Sequence, residues 1–471
     1  MSELTGWKHA ATDAPGVVAL AQELRERLPF ELREIIILGM GGSALAAYVL
    51  KTLFPAKVKI RVVDTTAPAY VRRVLDEMDG AGTLLIVASK SGTTIEPNVL
   101  YRVFAQRLSE CLGSPEEVAQ HCVALTDPGT ALEALAHEEG WLAVVSTPVD
   151  VGGRYSALTA FGLAPVVIAG AEVDPLIARA QAAEHQAGNA KLTDFLAESA
   201  QNGRDVFLLV LPSELSSVGR WLEQLIAESL GKEGRGLIPI VTTPERAEEL
   251  LLFSPRVRTT ISIVTIGEES EIWLLRVRET ASTLSVPVFS YPFHDPADLG
   301  ALFVDWEFAV AACGERLGIN PFDQPDVAAS KEATNRILAE VDSVGHVDPD
   351  VPPVAAQQDL SAVAADPNAH YLALLAWLPY SKENDALLQQ QAHDLEREYG
   401  LPVAICYGPR YLHSTGQGYK GGPATGLFLF MGDAEDTDLP IPGYDFTLAQ
   451  LFAAQQQGDI EALTAKGRPL F

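Results

Sequence analysis

Residues 83–97 read TLLIVASKSGTTIEP, in which an apolar run is followed directly by four hydroxyl side chains and one lysine. A short apolar run flanked by polar residues is typical of a strand buried inside a parallel sheet. The chain turns polar at Ser89 and stays polar to Thr94, so these residues would lie where the strand ends. The stretch therefore predicts a β-strand whose end is suited to holding a polar group.

The same alternation of apolar runs and helical spacing extends in both directions from this strand. A polar helical stretch at 185–205 interrupts it, and the alternation then starts again. Strands are predicted at EIIILGM, KIRVVDT, TLLIVASK, HCVALTD and LAVVST in the first series, and at DVFLLVLPS, GLIPIVTT, TTISIVTIG, EIWLLRV and PVFSYPF in the second. Strands that alternate with helices are typical of βαβ units. The predicted fold class is α/β, with two three-layer αβα domains and mainly parallel sheets.

A change of composition at 343–360, SVGHVDPDVPPVAAQQDL, predicts a linker because it is rich in proline and aspartate. Beyond it the sequence predicts a small C-terminal α/β unit. Its strands are expected at HYLALLAWLP and PVAICYG, and its helices at ENDALLQQQAHDLEREYG and around FTLAQLFAAQQQGD. The expected domains are therefore 1–195, 196–345 and 346–471.

The composition excludes several classes of partner. The chain has 471 residues and carries 62 acidic against 34 basic residues, a formal net charge of -28. Nucleic acid and anionic membranes both need a basic surface, so neither is an expected partner. The N-terminus lacks the pattern of a signal peptide and no run is apolar enough to span a bilayer, so we expect a soluble, cytoplasmic protein. The four cysteines show no C-x-x-C spacing, so neither a disulfide framework nor a zinc site is expected.

A glycine turn after the first predicted strand suggests what the polar strand end binds. In GMGGSAL, Gly41, Gly42 and Ser43 open a helix, and the free N–H groups at a helix start attract anions such as phosphate. The turn is neither G-x-G-x-x-G nor a Walker A loop. Because strands of a parallel sheet end at one edge, this turn and the Ser89–Thr94 stretch would converge there. A tight βα turn and a helix cap rich in Ser and Thr are the alternatives that involve no ligand.

Further along, an arginine and a glutamate are candidates for chemistry. In PVDVGGRYS, Arg154 follows two glycines including Gly153, so its charge could reach a pocket and stabilise an oxyanion. A surface ion pair is the alternative. In RWLEQLIAESLGKEGRG, Glu228 lies near the end of an amphipathic helix that leads into a glycine-rich turn. Periodicity does not separate its role from that of Glu223, and a solvated carboxylate is the plainer reading.

The stretch LGINPFDQPDVAASKEATNRIL enters a helix through a turn. Gln324 and Lys331 are seven residues apart, about two helical turns, so they would face one pocket if the helix ran through both. Capping by Asp323 or Asp326 explains the acidic residues equally well.

Together these stretches resemble phosphoglucose isomerase. GMGGSAL, SKSGTT, VGGRYS, AESLGKEGRG and NPFDQPDVAASK occur in that family's order, over roughly residues 35–340. The two α/β halves look like paired sugar isomerase (SIS) domains. The stretch RYLHSTGQGYKGGP is more similar to the isomerase part of bacterial transaldolase/glucose-6-phosphate isomerase fusions than to the stand-alone enzymes.

The resemblance implies an aldose–ketose isomerase that interconverts glucose 6-phosphate and fructose 6-phosphate through a cis-enediolate, without a metal or another cofactor. It implies a phosphate cradle formed by Gly42, Ser43, Ser89, Ser91 and Thr94. Of the other matching residues, Arg154 would stabilise the enediolate and Glu228 would move a proton between carbons 1 and 2. Lys331 would lie beside the sugar ring, and Gly153 and Gln324 would contact the substrate. Such chemistry needs a carboxylate base and a group that holds negative charge.

The sequence departs from the family in one respect. The family has a ring-opening histidine twenty to thirty residues after the glutamate, donated by the neighbouring subunit, but residues 229–293 here contain no histidine. His413 and His294 are the candidates to replace it. We favour His413, because its segment is polar and glycine-rich and also carries Lys420. If the histidine comes from the same chain, catalysis does not require a residue from a neighbouring subunit. The protein could then be a homodimer or a monomer, and both stay open.

Two other functions fit part of the pattern. One is an isomerase that also accepts mannose 6-phosphate, which Gln324 disfavours because that branch tends to have threonine there. The other is a non-catalytic phosphosugar-binding SIS module, which needs the cradle alone. The joint presence of Glu228, Arg154 and Lys331 favours the enzyme. Glu96, close to the cradle, is interpreted as an acid at a helix start.

Overall fold

The structure, a computed structural model, describes residues 4–268, 270–344, 360–432 and 437–471. The predicted linker at 343–360 lies mostly outside these residues. The chain divides into two compact units. Unit 1 consists of Met1–Gly188, Asp295–Glu307 and Thr437–Ala449, and unit 2 of Asn189–His294, Phe308–Asp436 and Gln450–Phe471.

Unit 1 contains a sheet of parallel strands in the order β2-β1-β3-β4-β5. The strands are β1 (Glu34–Gly39), β2 (Lys59–Val63), β3 (Thr83–Ala88), β4 (Cys122–Thr126) and β5 (Ala143–Ser146). Every residue of β1, β3 and β4 is buried, as expected for apolar strands covered on both faces. This doubly wound order has a topological switch point between β1 and β3, where such sheets bind ligands outside the strands' carboxyl ends.

The helices of unit 1 alternate with these strands. They are α1 (Ala10–Glu26), α2 (Leu45–Leu53), α3 (Pro68–Asp76), α4 (Ile95–Leu112), α5 (Pro115–Ala119), α6 (Ala131–Glu138), α7 (Ala160–Ile168) and α8 (Asp174–Glu184). Helix α1 was not predicted from the sequence, although it buries Ala11, Ala14, Val18 and Ala21 at helical spacing. It packs against α7 and α8.

Unit 2 contains a second parallel sheet in the order β7-β6-β8-β9. Its strands are β6 (Val206–Val210), β7 (Ile238–Thr242), β8 (Ile261–Gly267) and β9 (Val288–Pro292). The helices around them are α9 (Ala190–Gln201), α10 (Ser216–Leu230), α11 (Pro244–Phe253), α12 (Val257–Thr260) and α13 (Ile272–Thr283). Two long helices follow, α14 (Asp298–Leu317) and α15 (Pro325–Val344), and the boundary between the units falls within α14.

The prediction of a strand at EIWLLRV is wrong, because this run forms the first half of α13. Its buried residues Leu274, Val277 and Ala281 are three and four apart, which is the spacing of a helix face. Ile272 and Trp273 are exposed, at 70% and 49%. Seven mostly apolar residues look like a strand when read alone, and the helical period emerges only when the run is read on to Ala281.

A third parallel sheet, β11-β10-β12, also belongs to unit 2. It consists of β10 (Tyr371–Trp377), β11 (Val403–Tyr407) and β12 (Gly426–Gly432), with helices α16 (Leu360–Ala364), α17 (Lys382–Tyr399), α18 (Gly416–Gly421) and α19 (Leu448–Ala465). The C-terminal strands and helices expected from the sequence are present, and β12 is an addition to them.

Polar side chains fasten this third sheet to the second one. Asp205, which is 6% exposed and precedes β6, accepts a hydrogen bond from the Thr425 hydroxyl at 2.6 Å, and its other oxygen lies 2.5 Å from His370 Nδ1. Arg246 on α11 forms a bidentate pair with Glu396 on α17, at 2.8 and 3.0 Å. Charge-assisted bonds of this kind hold the second and third sheets against each other.

The α/β fold class with parallel sheets is confirmed. The partition into 1–195, 196–345 and 346–471 stays a prediction. Within the described part of the chain, no helix is both long enough and apolar enough to cross a membrane.

Candidate active site

The turns predicted to bind an anion lie at the switch point of the sheet in unit 1. Gly39 at the end of β1 pairs with Ala88 at the end of β3, so the turns that follow these two strands are neighbours. The turn after β1 is a short 3-10 helix, Gly41–Ser43, that leads into α2. Gly41 has φ +50°, a conformation that favours glycine, and Ser43 is buried. The two predicted halves of the cradle are therefore brought to one edge.

A third turn packs directly against the first. A Cβ placed on Gly42 would lie 2.2 Å from the carbonyl carbon and oxygen of Gly153, so only a glycine fits there. The Ser156 hydroxyl donates to the Gly153 carbonyl at 2.5 Å and lies 3.3 Å from that of Gly42. The 3-10 turn Gly153–Tyr155 thus holds Arg154, which is 4% exposed, beside the Ser43 turn.

The hydroxyl groups after β3 differ in their surroundings. Ser89 is 2% exposed, and its Oγ has no hydrogen-bond partner among the described residues. Ser91 is exposed and its hydroxyl lies 3.0 Å from that of Thr93. Thr94 occupies the N-cap position of α4, but its side chain makes no capping hydrogen bond. A long helix that starts beside uncommitted hydroxyls is a ready anion site.

Lys90 does not belong to this cradle. Its ammonium lies 2.6 Å from Asp127 Oδ2 and donates to the Pro148 carbonyl at 2.8 Å. Asp127 also accepts the Thr147 hydroxyl at 2.5 Å. These bonds tie the ends of β3, β4 and β5 together, so the lysine of SKSGTT stabilises the edge of the sheet.

In unit 2, Glu228 lies near the end of α10 and is 5% exposed. Gln224, one turn earlier on the same helix, donates to Glu228 Oε2 at 3.3 Å and to the His413 carbonyl oxygen at 2.8 Å. Gln224 is itself buried, and its Oε1 has no partner among the described residues. Gln224 was not predicted from the sequence, although a position four residues before the glutamate lies on the same helix face.

The structure also separates the two glutamates that periodicity left open. Glu223 faces β7, where the Val241 amide lies 3.4 Å from its carboxylate. Burial raises the pKa of Glu223 to about 7, although Arg410 and Arg220 act against the shift. Glu228 faces Gln224 and the His413 segment instead.

The segment that carries His413 packs on the end of α10. A Cβ on Gly231 would lie 2.5 Å from the Gly418 Cα, which places α18 directly against the helix end. Gln417 donates to the Gly231 carbonyl at 3.1 Å and to Asp326 Oδ2 at 2.8 Å. The stretches AESLGKEGRG and HSTGQGYKGG, far apart in sequence, are thereby neighbours in space.

The other predicted residues of unit 2 lie on or near α15. Gln324 directly precedes this helix, and Lys331 lies within it. Both are exposed, and since the helix begins at Pro325 it does not run through Gln324, so a shared pocket for the two side chains stays a prediction. The turn before them is held by the buried Lys232, which donates to Asp323 Oδ1 at 2.8 Å and to the Asn320 carbonyl.

The two candidate histidines differ in position. His413 ends the 3-10 turn Arg410–His413, is half-buried and is linked to Glu228 through Gln224. His294 is exposed and follows β9, an edge strand that β8 separates from β6. The choice of His413 stays a prediction; the bond from Gln224 to its backbone carbonyl places its segment beside Glu228.

The rule that ligands bind at the carboxyl ends of parallel strands does not predict the location of Glu228. Helix α10 leads from the carboxyl end of β6 to the start of the parallel strand β7, so its last turn lies at the amino-terminal edge of the sheet. Ligands of doubly wound sheets are normally sought at the opposite edge. Among the described residues, no group of three or more His, Cys, Asp or Glu side chains is arranged to hold a metal ion.

These features define an α/β protein with doubly wound parallel sheets, a candidate anion site at a switch point and a buried carboxylate in its second unit. Comparison with known proteins makes this specific. The family profile described as phosphoglucose isomerase matches residues 26–191. A glucose-6-phosphate isomerase from Heliobacterium modesticaldum is 30% identical over 396 residues, 72% of this chain and 88% of the relative. One from Shouchella clausii is 30% identical over 377 residues, 68% of this chain and 83% of the relative.

A solved structure has a similar fold over a similar share of the chain. A hypothetical protein from Thermus thermophilus matches with a TM-score of 0.65 and 26% identity, over 72% of this chain and 91% of that one. The chain belongs to the phosphoglucose isomerase family.

Proposed function

We propose that this protein interconverts glucose 6-phosphate and fructose 6-phosphate. The observation that carries the proposal is the buried Glu228, held by Gln224 against the His413 segment, in a chain whose relatives are named glucose-6-phosphate isomerase. A carboxylate that is buried and oriented by an amide donor is suited to proton transfer at carbon. A module that only binds phosphosugars has no need of such a group.

The phosphate of the substrate is proposed to bind at the switch point of unit 1. The hydroxyl groups of Ser43, Ser89, Ser91 and Thr94 donate to its oxygens, and the start of α4 adds its dipole. Gly42 allows the backbone of the neighbouring turn to approach. Because hydroxyl groups add no formal charge, the phosphate is held without being trapped, as turnover requires.

At the other end of the sugar, Glu228 removes the proton from carbon 2 of the open-chain aldose and returns it to carbon 1, while the hydroxyl proton passes from oxygen 2 to oxygen 1. Negative charge collects on these oxygens in the enediolate, where the fixed charge of Arg154 stabilises it. His413 is proposed to open the ring, with Lys331 beside it. Gly153 and Gln324 contact the sugar, and Gln324 favours glucose over mannose phosphates.

We further propose that the C-terminal residues 346–471 are related to the isomerase part of transaldolase/glucose-6-phosphate isomerase fusions, on the strength of RYLHSTGQGYKGGP. The position of this segment against α10 supports a catalytic use of it. If His413 acts within its own chain, a monomer is sufficient for catalysis. The oligomeric state and a cytoplasmic location stay predictions.

The test is a coupled assay of fructose 6-phosphate conversion without added metal, comparing wild type with Glu228→Gln. We expect turnover in the wild type and a loss of about 10³-fold or more in the variant, since removal of a general base typically costs about 10²–10⁴-fold. Glu214→Gln is the matched control, because Glu214 is an exposed glutamate just before the start of α10. A wild type that is stabilised by fructose 6-phosphate yet converts none of it would make the protein a binding module.

A further inference from the structure

A buried ion pair in unit 2 lies outside the chemistry described so far. Asp459 on α19 is 0% exposed, and its Oδ1 lies 2.6 Å from the ammonium of Lys420, which is 2% exposed. The same oxygen accepts the Ser330 hydroxyl at 3.3 Å, and Oδ2 accepts the Tyr411 hydroxyl at 2.6 Å. One carboxylate thus holds three side chains in a space without solvent.

Each of these partners belongs to a segment of the candidate site. Tyr411 lies two residues before His413 in the same 3-10 turn, and Lys420 lies in α18, whose other residues contact the end of the Glu228 helix. Ser330 directly precedes Lys331 in α15. Asp459 therefore joins the His413 segment to the Lys331 helix, in addition to the bond from Gln417 to Asp326.

The crossing of α15 and α19 makes this junction rigid. A Cβ on Gly458 would lie 2.8 Å from the Thr334 hydroxyl and 3.2 Å from the Ser330 carbonyl oxygen, so the two helices are in backbone contact beside Asp459. On the other side, Arg468 donates to the carbonyl oxygens of Lys420 and Gly422, each at 2.8 Å. The Asp459 carboxylate therefore has little freedom to follow a displaced partner.

We propose that Asp459 is a positioning residue for the isomerase reaction, setting His413 against Lys331 through Tyr411, Lys420 and Ser330. The proposal rests on the proposed function. Ring opening requires a proton donor at hydrogen-bond distance from the ring oxygen, about 2.6–3.2 Å between heavy atoms. A displacement of about 1 Å is enough to slow such a step, so a loosened His413 segment slows ring opening. Glu228 meets the His413 segment through Gln224, so its proton transfer is affected as well, and only the exchange of anomers reports the ring-opening step by itself.

The substitution must remove the whole pair, since a single change leaves a buried charge without a partner and destabilises the fold. Replacing a buried ion pair by apolar side chains of similar volume is often neutral for stability. The variant is therefore Lys420→Met with Asp459→Leu. The matched control is Arg246→Met with Glu396→Leu, which removes a largely buried pair between α11 and α17 in the same unit.

Three quantities are measured on wild type and both double variants. Exchange between the α and β anomers of glucose 6-phosphate, followed by NMR, reports ring opening alone. The coupled assay reports isomerisation, and the affinity for a six-carbon polyol 6-phosphate reports an intact binding site without ring opening. For the Lys420/Asp459 variant we expect anomer exchange and isomerisation to fall at least 10-fold with polyol phosphate affinity within twofold of wild type. The control keeps all three.

Anomer exchange at the wild-type rate in the folded Lys420/Asp459 variant overturns the proposal, and so does an equal loss in the control. Should that variant fail to fold, Tyr411→Phe is tested instead, because it changes no charge. This variant is expected to slow anomer exchange about fivefold, and the fall in its kcat is expected to be larger than the change in its KM. Unchanged anomer exchange in Tyr411→Phe then overturns the proposal. A wild type without isomerase activity contradicts the proposed function instead, so the two failures are distinguishable.

Discussion

The contact between two turns in unit 1 gives a quantitative prediction for Gly42→Ala. The added Cβ would lie 2.2 Å from the carbonyl carbon and oxygen of Gly153 and 2.8 Å from the amide nitrogen of Arg154. Carbon atoms in contact are separated by about 3.5 Å, so the turns must move apart by about 1 Å. All three atoms are backbone, so no side-chain rotation relieves the clash.

Both stability and turnover should fall. Overpacking of a tight contact costs about 1–3 kcal/mol of unfolding free energy. The movement also displaces Ser43, which is proposed to bind the phosphate, relative to Arg154, which is proposed to stabilise the enediolate. Because a misplacement of about 1 Å can cost about 10²-fold in rate, we expect kcat/KM for fructose 6-phosphate to fall about 100-fold.

Steady-state kinetics and urea unfolding measure the two effects on the same preparation. Gly16→Ala is the control, since Gly16 lies in α1 of the same unit and an added Cβ there meets no atom within 4 Å. That variant should keep wild-type kinetics and gain about 0.5–1 kcal/mol, as alanine replaces glycine within a helix. The reasoning is refuted if Gly42→Ala retains kcat/KM within threefold of wild type.

Two further predictions concern buried polar groups. Ser89→Ala should raise KM for fructose 6-phosphate about 10-fold, since it removes a donor to a charged phosphate. The thermal midpoint should not fall, because the Ser89 hydroxyl has no protein partner among the described residues. Ser262 is another buried serine whose hydroxyl has no described partner, and Ser262→Ala should leave KM unchanged. Burial raises the pKa of Glu307, which is 2% exposed, well above its usual value of 4.5. The folded state then keeps a proton that the unfolded state releases, so this group makes the unfolding free energy fall by up to about 1.4 kcal/mol per pH unit as pH rises from about 4.5 toward the folded pKa. Urea unfolding between pH 5 and 8 should show that Glu307→Gln removes this slope; identical slopes in both proteins would contradict the assignment.

Much of the fold follows from local pattern. Strands β1, β3 and β4 are buried on both faces, so they appear in the sequence as continuous apolar runs that need no knowledge of their partners. The same runs predict that the turns carrying Ser43 and Ser89 lie at one edge of the sheet, because parallel strands end together. The one wrong strand, at the start of α13, is a case in which a short apolar window carries no period.

The site was only partly predictable. Glycine turns and hydroxyl clusters follow strands directly, so the proposed cradle of unit 1 can be recognised within short stretches of sequence. Gln224 was missed because its partner is the carbonyl oxygen of a residue 189 positions away. Asp459 was missed for the same reason, since its partners Tyr411 and Ser330 are 48 and 129 positions away.

The sequence by itself determined the parallel α/β class, the polar ends of β1 and β3, and the set of residue types that isomerase chemistry needs. Only the tertiary structure decided that Glu228 faces Gln224 and the His413 segment while Glu223 faces β7. Periodicity records which face of a helix is apolar, and that depends on neighbours in the chain. Burial of a polar group depends on partners from distant segments, and these exist only once the chain has folded.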